Sequence, residues 1–392
     1  IETIYATSPT YSVTFQPDTG HQVVITYAPT STDNYIVQFD DADYVTFKNL
    51  TFTATGTTYG RVFDFKDGSH YITLDNNTIN GISTNLSADN LVVIHATSGT
   101  ENDNITITNN EINYGSYGMY LRGISASNLN TENVITNNII QDFSHYGIYL
   151  YYFDSVIVSS NEIYAKSTGG HANQYGIYAA YCDNGSEFYK NNIRVNGTSA
   201  NFGIYLYYCD GTSGKENCIV NNFISTHNCT SNSNGIYSTQ NNYLNIYHNS
   251  VNVTDGNTSS KVLYNYYGGN ISLQNNIFAN TKTSGGYTIY NTSSTGITES
   301  DYNDLYTKGS YIGYWNGSNR TTLSSWQSYS GKDANSISVD PYFVSDTNLH
   351  AASIHIDGQA NPIAGISEDI DDEQRDPSNP DIGADEFSLS PL

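Results

Sequence analysis

Tyrosine recurs along this 392-residue chain at a spacing that could do chemistry. Tyr120, Tyr149, Tyr178, Tyr205, Tyr237, Tyr264 and Tyr290 each follow an aliphatic residue or methionine, mostly in runs reading Gly-Ile-Tyr. Tyr151, Tyr207 and Tyr266 form a patchier second set, each two residues further on. Phenol rings repeated at strand spacing can stack on sugar rings or pack against another protein. Tyrosine also suits exposed strands for its own sake, which is the plainer reading of the same pattern. Asp154, Asp183 and Asp210 stand just after three of these runs. Carboxylates one strand apart repel unless a cation or protons intervene, so the three are a candidate Ca2+ set; the plainer reading is solvated turn residues.

Catalysis is harder to place. Asp40-Asp41 and Asp371-Asp372 are paired carboxylates, but neither pair lies among the central tyrosine runs. Arg122 is the one basic residue on those runs, and His145, Lys166, His171, Lys190 and Arg194 are scattered. No acid-plus-base set emerges, so no catalytic residue is assigned and the reading leans away from an enzyme.

The elements that carry these residues follow from a repeat. A ladder asparagine falls at Asn77, Asn110, Asn138, Asn161, Asn192, Asn222, Asn249, Asn276 and Asn303, in steps of 23 to 33 residues. An aliphatic residue usually stands three before it, and an aliphatic or aromatic one two after it; Asn192 breaks the second rule, because Arg194 stands there. Apolar and polar residues alternate within the short runs, the period of half-buried strands. A repeat of this length without helical periodicity signals a β-solenoid, with equivalent residues stacked roughly 4.8 Å apart. Asparagine suits the turn because it tolerates left-handed backbone and can bond to the asparagines above and below.

This pattern resembles the right-handed parallel β-helix proteins, the superfamily of pectate lyases, chondroitinase-type lyases and phage tailspikes. It is also similar to secreted β-helix proteins of Bacteroidota that end in a fixed tail, read here in Asp340-Pro341-Tyr342-Phe343, in 369–375 and in 380–387. The resemblance implies a glycan-binding cleft on the tyrosine-lined sheet and Ca2+ near the aspartate corner. It further implies either a Lys or Arg base or a cluster of aspartates as catalytic equipment. The fold does not settle function.

The expected architecture is all-β: a single-stranded right-handed parallel β-helix of about 11 or 12 coils, a rod of roughly 50–60 Å. Residues 1–42 form the first coils, 43–309 the regular Asn-ladder repeats, and 310–392 an irregular cover and C-terminal cap within the same structural unit. The net charge of −24, with 14 basic residues against 38 acidic ones, argues against nucleic acid as a partner. No run of about 18 apolar residues exists to span a membrane. Cys182, Cys209, Cys218 and Cys229 cluster; a Cys182–Cys209 disulfide, a Cys218–Cys229 disulfide and free thiols all stay open. The first coils show no covering helix, so end-to-end self-association is expected. The reading is an extracellular, secreted or surface-attached structural or adhesive protein that needs no cofactor, Ca2+ apart, and builds filaments. The alternative is a polysaccharide-binding or polysaccharide-degrading protein, with a neutral glycan as partner.

Overall fold

The computed structural model describes residues 7–96, 99–282 and 285–388; the expectation for residues 1–6 lies outside them. The chain divides into two compact units, 1–186 and 187–392. In each unit the chain winds through three parallel sheets in turn. Among the described residues the first unit contributes six strands to each of the first two sheets and the second five, eleven turns; the third sheet has seven and six, counting the short Asn130–Thr131 and the antiparallel Ser318–Arg320. Among the described residues the one α-helix is Leu323–Ser330, and no helix is long and apolar enough to cross a membrane.

One coil shows how the sequence does this. Thr106–Thr108 lies in the first sheet, a bend follows at Asn109-Asn110, Glu111–Asn113 enters the second sheet, and Tyr117–Arg122 enters the third. Inward residues stack on like residues of the next coil: Leu74, Ile107, Ile135 and Val158 in the first sheet, Ile79, Ile112, Ile140 and Ile163 in the second. All eight are buried, each stabilising the unit by roughly 1.5–3 kcal/mol.

The bend uses its two residues differently. The residue before the ladder position takes the left-handed conformation, with φ of 53° at Asn76, 57° at Asn109 and 56° at Asn137. The ladder residue itself is buried and hydrogen-bonded. Asn110 donates its backbone N–H and its Nδ2 to Asn138 Oδ1, at 3.0 and 3.1 Å, and Asn138 does the same to Asn161 at 3.0 Å each. Each Nδ2 also reaches a main-chain carbonyl, as Asn138 does with Ile107. The backbone role tolerates substitution, which is why Ser160, His248 and Tyr302 can fill it. The side-chain role needs a two-proton donor and an acceptor on separate atoms at one end, which an amide supplies.

The same geometry moves one rung. In the second unit Asn191, not Asn192, donates its N–H and Nδ2 to Asn222 Oδ1, at 2.9 and 3.0 Å. Lys190 takes the left-handed place at φ 54°, and Asn192 opens the strand Asn192–Val195. With the rung at Asn191, Phe188 and Ile193 fall three before and two after it, paired with Ile219 and Ile224. The apparent exception at Arg194 was a one-residue slip. Asn222, Asn249, Asn276 and Asn303 continue the ladder.

The end of the second unit folds as two pieces. Trp326, on the helix, is buried against Gly313, and its Nε1 donates to Asp333, which also accepts from Ser300, Asn303 and Ser336. Several tail residues instead pack on the outer face of the second sheet. There Ala351, Ile356, Ala360 and Ile382 pack on Ile277 and Ala279, while Leu349 and Ala384 pack on Phe223. None of the four cysteines is in a disulfide.

Candidate functional site

The third sheet of the first unit carries the tyrosines, and register shows what precedes them. Gln38 pairs with Asp64, Asp64 with His95, His95 with Tyr120, Tyr120 with Tyr149 and Tyr149 with Tyr178. Each sits between two inward residues, as in Phe63-Asp64-Phe65 and Ile94-His95-Ala96. Alternation therefore turns all six to the same outward line. Gly147 holds the tyrosine strand close to its neighbours: a Cβ there would lie 2.5 Å from Ile163 Cγ2 and 2.6 Å from the Gly176 carbonyl oxygen.

The head of the line is an ionic cluster. His95 Nδ1 lies 2.7 Å from Asp64 Oδ1 and its Nε2 3.3 Å from Asp89 Oδ1. Arg61 donates Nη1 to Asp64 at 3.1 Å and Nη2 to Asp89, and Gln38 donates to Asp64 Oδ2 at 2.8 Å. Asp89 is exposed and comes from a short helical turn, Asp89–Leu91, in the loop after the second sheet. Burial favours neutral His95, but its hydrogen bonds to Asp64 and Asp89 outweigh it and raise its pKa. The hydrogen bond from His95, against burial, holds the Asp89 carboxyl below its usual range. Two carboxylates, an imidazole and a guanidinium thus stand together, a charged grouping that the sequence reading did not find.

Tyrosine rings continue the line, but not as open faces. Tyr149 and Tyr178 stack at 4.6 Å with planes 14° apart, and the His95 ring lies 5.5 Å from Tyr120 at 13°. Each ring covers its neighbour, so a ligand meets edges and hydroxyls. Burial raises the Tyr149 pKa, keeping its hydroxyl protonated. A second file, Tyr117, Tyr146 and Tyr175, runs beside it. Alongside, His145 Nδ1 lies 2.6 Å from Ser87 Oγ and its ring 4.1 Å from that of His171; burial and His171 push its pKa down to about 3. Lys166 ties its loop to Ser83 and to the Thr84 carbonyl, at 3.2 Å each. Tyr151 pairs with Arg122, whose guanidinium lies 4.9 Å from the ring centroid, and with Ala180.

The second unit repeats the tyrosines without that head. Tyr205 stacks on Tyr237 at 4.6 Å and 9°, but Tyr264 turns edgewise to both Tyr237 and Tyr290. Lys261 Nζ lies 4.9 and 5.1 Å from the ring centroids of Tyr264 and Tyr290, and burial pushes its pKa down to about 8. Tyr207 and Tyr266 both pair with Thr239. Of the aspartates, Asp154 and Asp183 pair in register. Asp154 accepts from Ser155 and Asn184, and Asp210, in the second unit, accepts from the Asn242 backbone and amide. Lys190 is ion-paired with Glu368 and Asp372. Asp40 accepts from Lys66, and Asp371 lies against His350.

Residues 30–225 match the family described as "Right handed beta helix region". No curated protein sequence matches the chain. Among solved structures, pectate lyase Pel9A is similar with a TM-score of 0.43 at 12% identity, covering 96% of this chain and 86% of that one. The Dettilon tailspike protein gp208 gives 0.38 at 13%, covering 72% of this chain; the chain spans 60% of the tailspike's length. The likeness to both is one of fold alone. With half of its residues in the matched region and a coil path to suit it, this chain belongs to the right-handed β-helix family.

Proposed function

We propose that the protein binds polysaccharide along the outward third-sheet face of its first unit, as a secreted or surface-exposed β-helix. The observation that carries this reading is the single register line Gln38, Asp64, His95, Tyr120, Tyr149, Tyr178. It joins charged hydrogen-bonding groups to a strip of aromatic edges and hydroxyls. Sugars present that same mixture of hydroxyls and apolar C–H faces. The exposed Asp89 carboxylate and Arg61 would take hydroxyls, and the tyrosine strip would take successive rings. The net charge of −24 favours a neutral glycan over a polyanion.

The test is a panel of neutral and acidic glycans, read for binding and for release of new reducing ends. Binding to a neutral glycan should fall at least tenfold in Asp89→Asn with Arg61→Gln, and again in Tyr149→Ala with Tyr178→Ala. Equal binding by wild type and both double variants would sink the reading. Release of reducing ends that stops in Asp89→Asn would extend it to hydrolysis or elimination.

A second reading, end-to-end self-association, has one observation in its favour. The first coil exposes Phe15, Val24 and Tyr27 on edge strands, an apolar edge that another chain could cover. A protein that stays monomeric by light scattering at high concentration would exclude it.

A further inference from the structure

Three tail segments of the second unit converge on one group of side chains that neither the family nor the glycan reading uses. His350, Asp371 and Asp385 each offer a donor atom, and all three atoms lie within 4.8 Å of one another. His350 Nε2 is 2.8 Å from Asp371 Oδ2, while Nδ1 is engaged by Asn348 Oδ1. That second contact has a consequence. An amide oxygen only accepts, so Nδ1 donates to it, and Nε2 is the ring nitrogen that faces the carboxylates.

Asp385 supplies an independent observation. Its side chain belongs to a residue only 7% exposed, yet the carboxylate accepts one hydrogen bond, from the Ala351 backbone N–H at 3.2 Å. A carboxylate can accept about four, and a buried one left with a single partner is costly. The loops that present the two aspartates are fixed from behind. Asp369 Oδ1 accepts from the backbone N–H groups of Asp371 and Glu373, at 2.9 and 2.8 Å, and its Oδ2 accepts from that of Glu386 at 2.9 Å. The Phe223 ring meets His350 edge-on at 5.0 Å. The donors are thus positioned by the fold, not gathered by chance on a mobile surface.

We propose that His350, Asp371 and Asp385 form a divalent-cation site that staples the tail to itself over Phe223, and that its cation is Zn2+ in preference to Ca2+. An imidazole nitrogen with two carboxylate oxygens suits Zn2+, whereas Ca2+ takes six to eight oxygens. The Nδ1 contact to Asn348 is the outer-sphere hydrogen bond that orients a metal-bound histidine. The site would leave at least one position to water, because His350 and Asp371 are each about half exposed.

The experiment is calorimetric titration of chelator-treated, full-length protein with Zn2+ alone and, separately, Ca2+ alone. The expected result is one saturable Zn2+ site per chain, at least tenfold weaker in His350→Gln and in Asp385→Asn, with Ca2+ binding far more weakly. A zinc-dependent rise in Tm should be lost in the same variants. The proposal is overturned by absence of saturable Zn2+ binding, by wild-type affinity in His350→Gln, or by Ca2+ binding as tight as Zn2+. Should Asp385→Asn fail to fold by circular dichroism, His350→Gln decides alone, since its side chain is half exposed.

Discussion

Ile139 and Ile277 hold the same place in the repeat, each directly after a ladder asparagine, one in each unit. Ile139 is 39% exposed and Ile277 is fully buried. The bend, the strand and the alternation are alike; what differs is the tail, which packs Ala351, Ile356 and Ile382 over Ile277. The strands Phe223–Thr226, Ser250–Val253 and Ile277–Asn280 are buried along both faces for this reason, whereas Thr78–Asn80 alternates. A coil position therefore has one fixed face, the inward one. Its outward face takes its role from whatever segment arrives there, whether the tail in the second unit or the Asp89 loop in the first.

Breaking the tail contact should have the largest effect. Arg375 is buried and donates to Asn221 Oδ1, to the Gly383 carbonyl and to Glu386. Arg375→Leu leaves Glu386 without its cation, and roughly 3–5 kcal/mol of second-unit stability should disappear in denaturant titration. The ladder comes next and should not distinguish the units. Asn138→Leu and Asn249→Leu each strand two buried donors, and should each cost about 3 kcal/mol. Asn137→Gly, at the left-handed place, should stay within about 0.5 kcal/mol. Unequal costs for the two ladder variants would mean that the bend is not the shared part.

The isoleucine pair tests the comparison itself. Ile277→Ala should cost about 2–4 kcal/mol and Ile139→Ala under about 0.5 kcal/mol, read by the same titration. The smallest expected effect is one of pH. The His95 pKa is raised in the folded state, so the imidazolium contributes stability that is complete below its unfolded value near 6.5. That contribution is lost as pH rises through the folded value. Hydrogen exchange in the first unit should show a loss of protection on going to alkaline pH, absent in His95→Asn. A slope of equal size in the variant would place the titration elsewhere.

Much of the coil was legible. Hydrophobic alternation and the spaced asparagines report local geometry, and stacking requires like residues to recur once per turn. The slip to Asn192 arose because a doubled asparagine leaves two choices; the flanking Phe188 and Ile193 point to Asn191. Asp64 and His95 were not legible as members of the line because their coils lack the glycine and tyrosine that mark the others. Phe63-Asp64-Phe65 and Ile94-His95-Ala96 carry the same in-out-in alternation without either, and that was the available signal. Asp89 gave none, since it reaches His95 from a loop whose path no local pattern sets.

By itself, then, the sequence determined the winding, the three sheets, the inward core and the outward tyrosines, because each depends on neighbours in the chain and on a repeat of about one coil. Tertiary structure alone decided which outward faces stay open. Lys190 meets Asp372 across 182 residues and Arg375 meets Asn221 across 154. Contacts so distant depend on how a finished surface fits a late-arriving segment, and no periodic pattern encodes that fit.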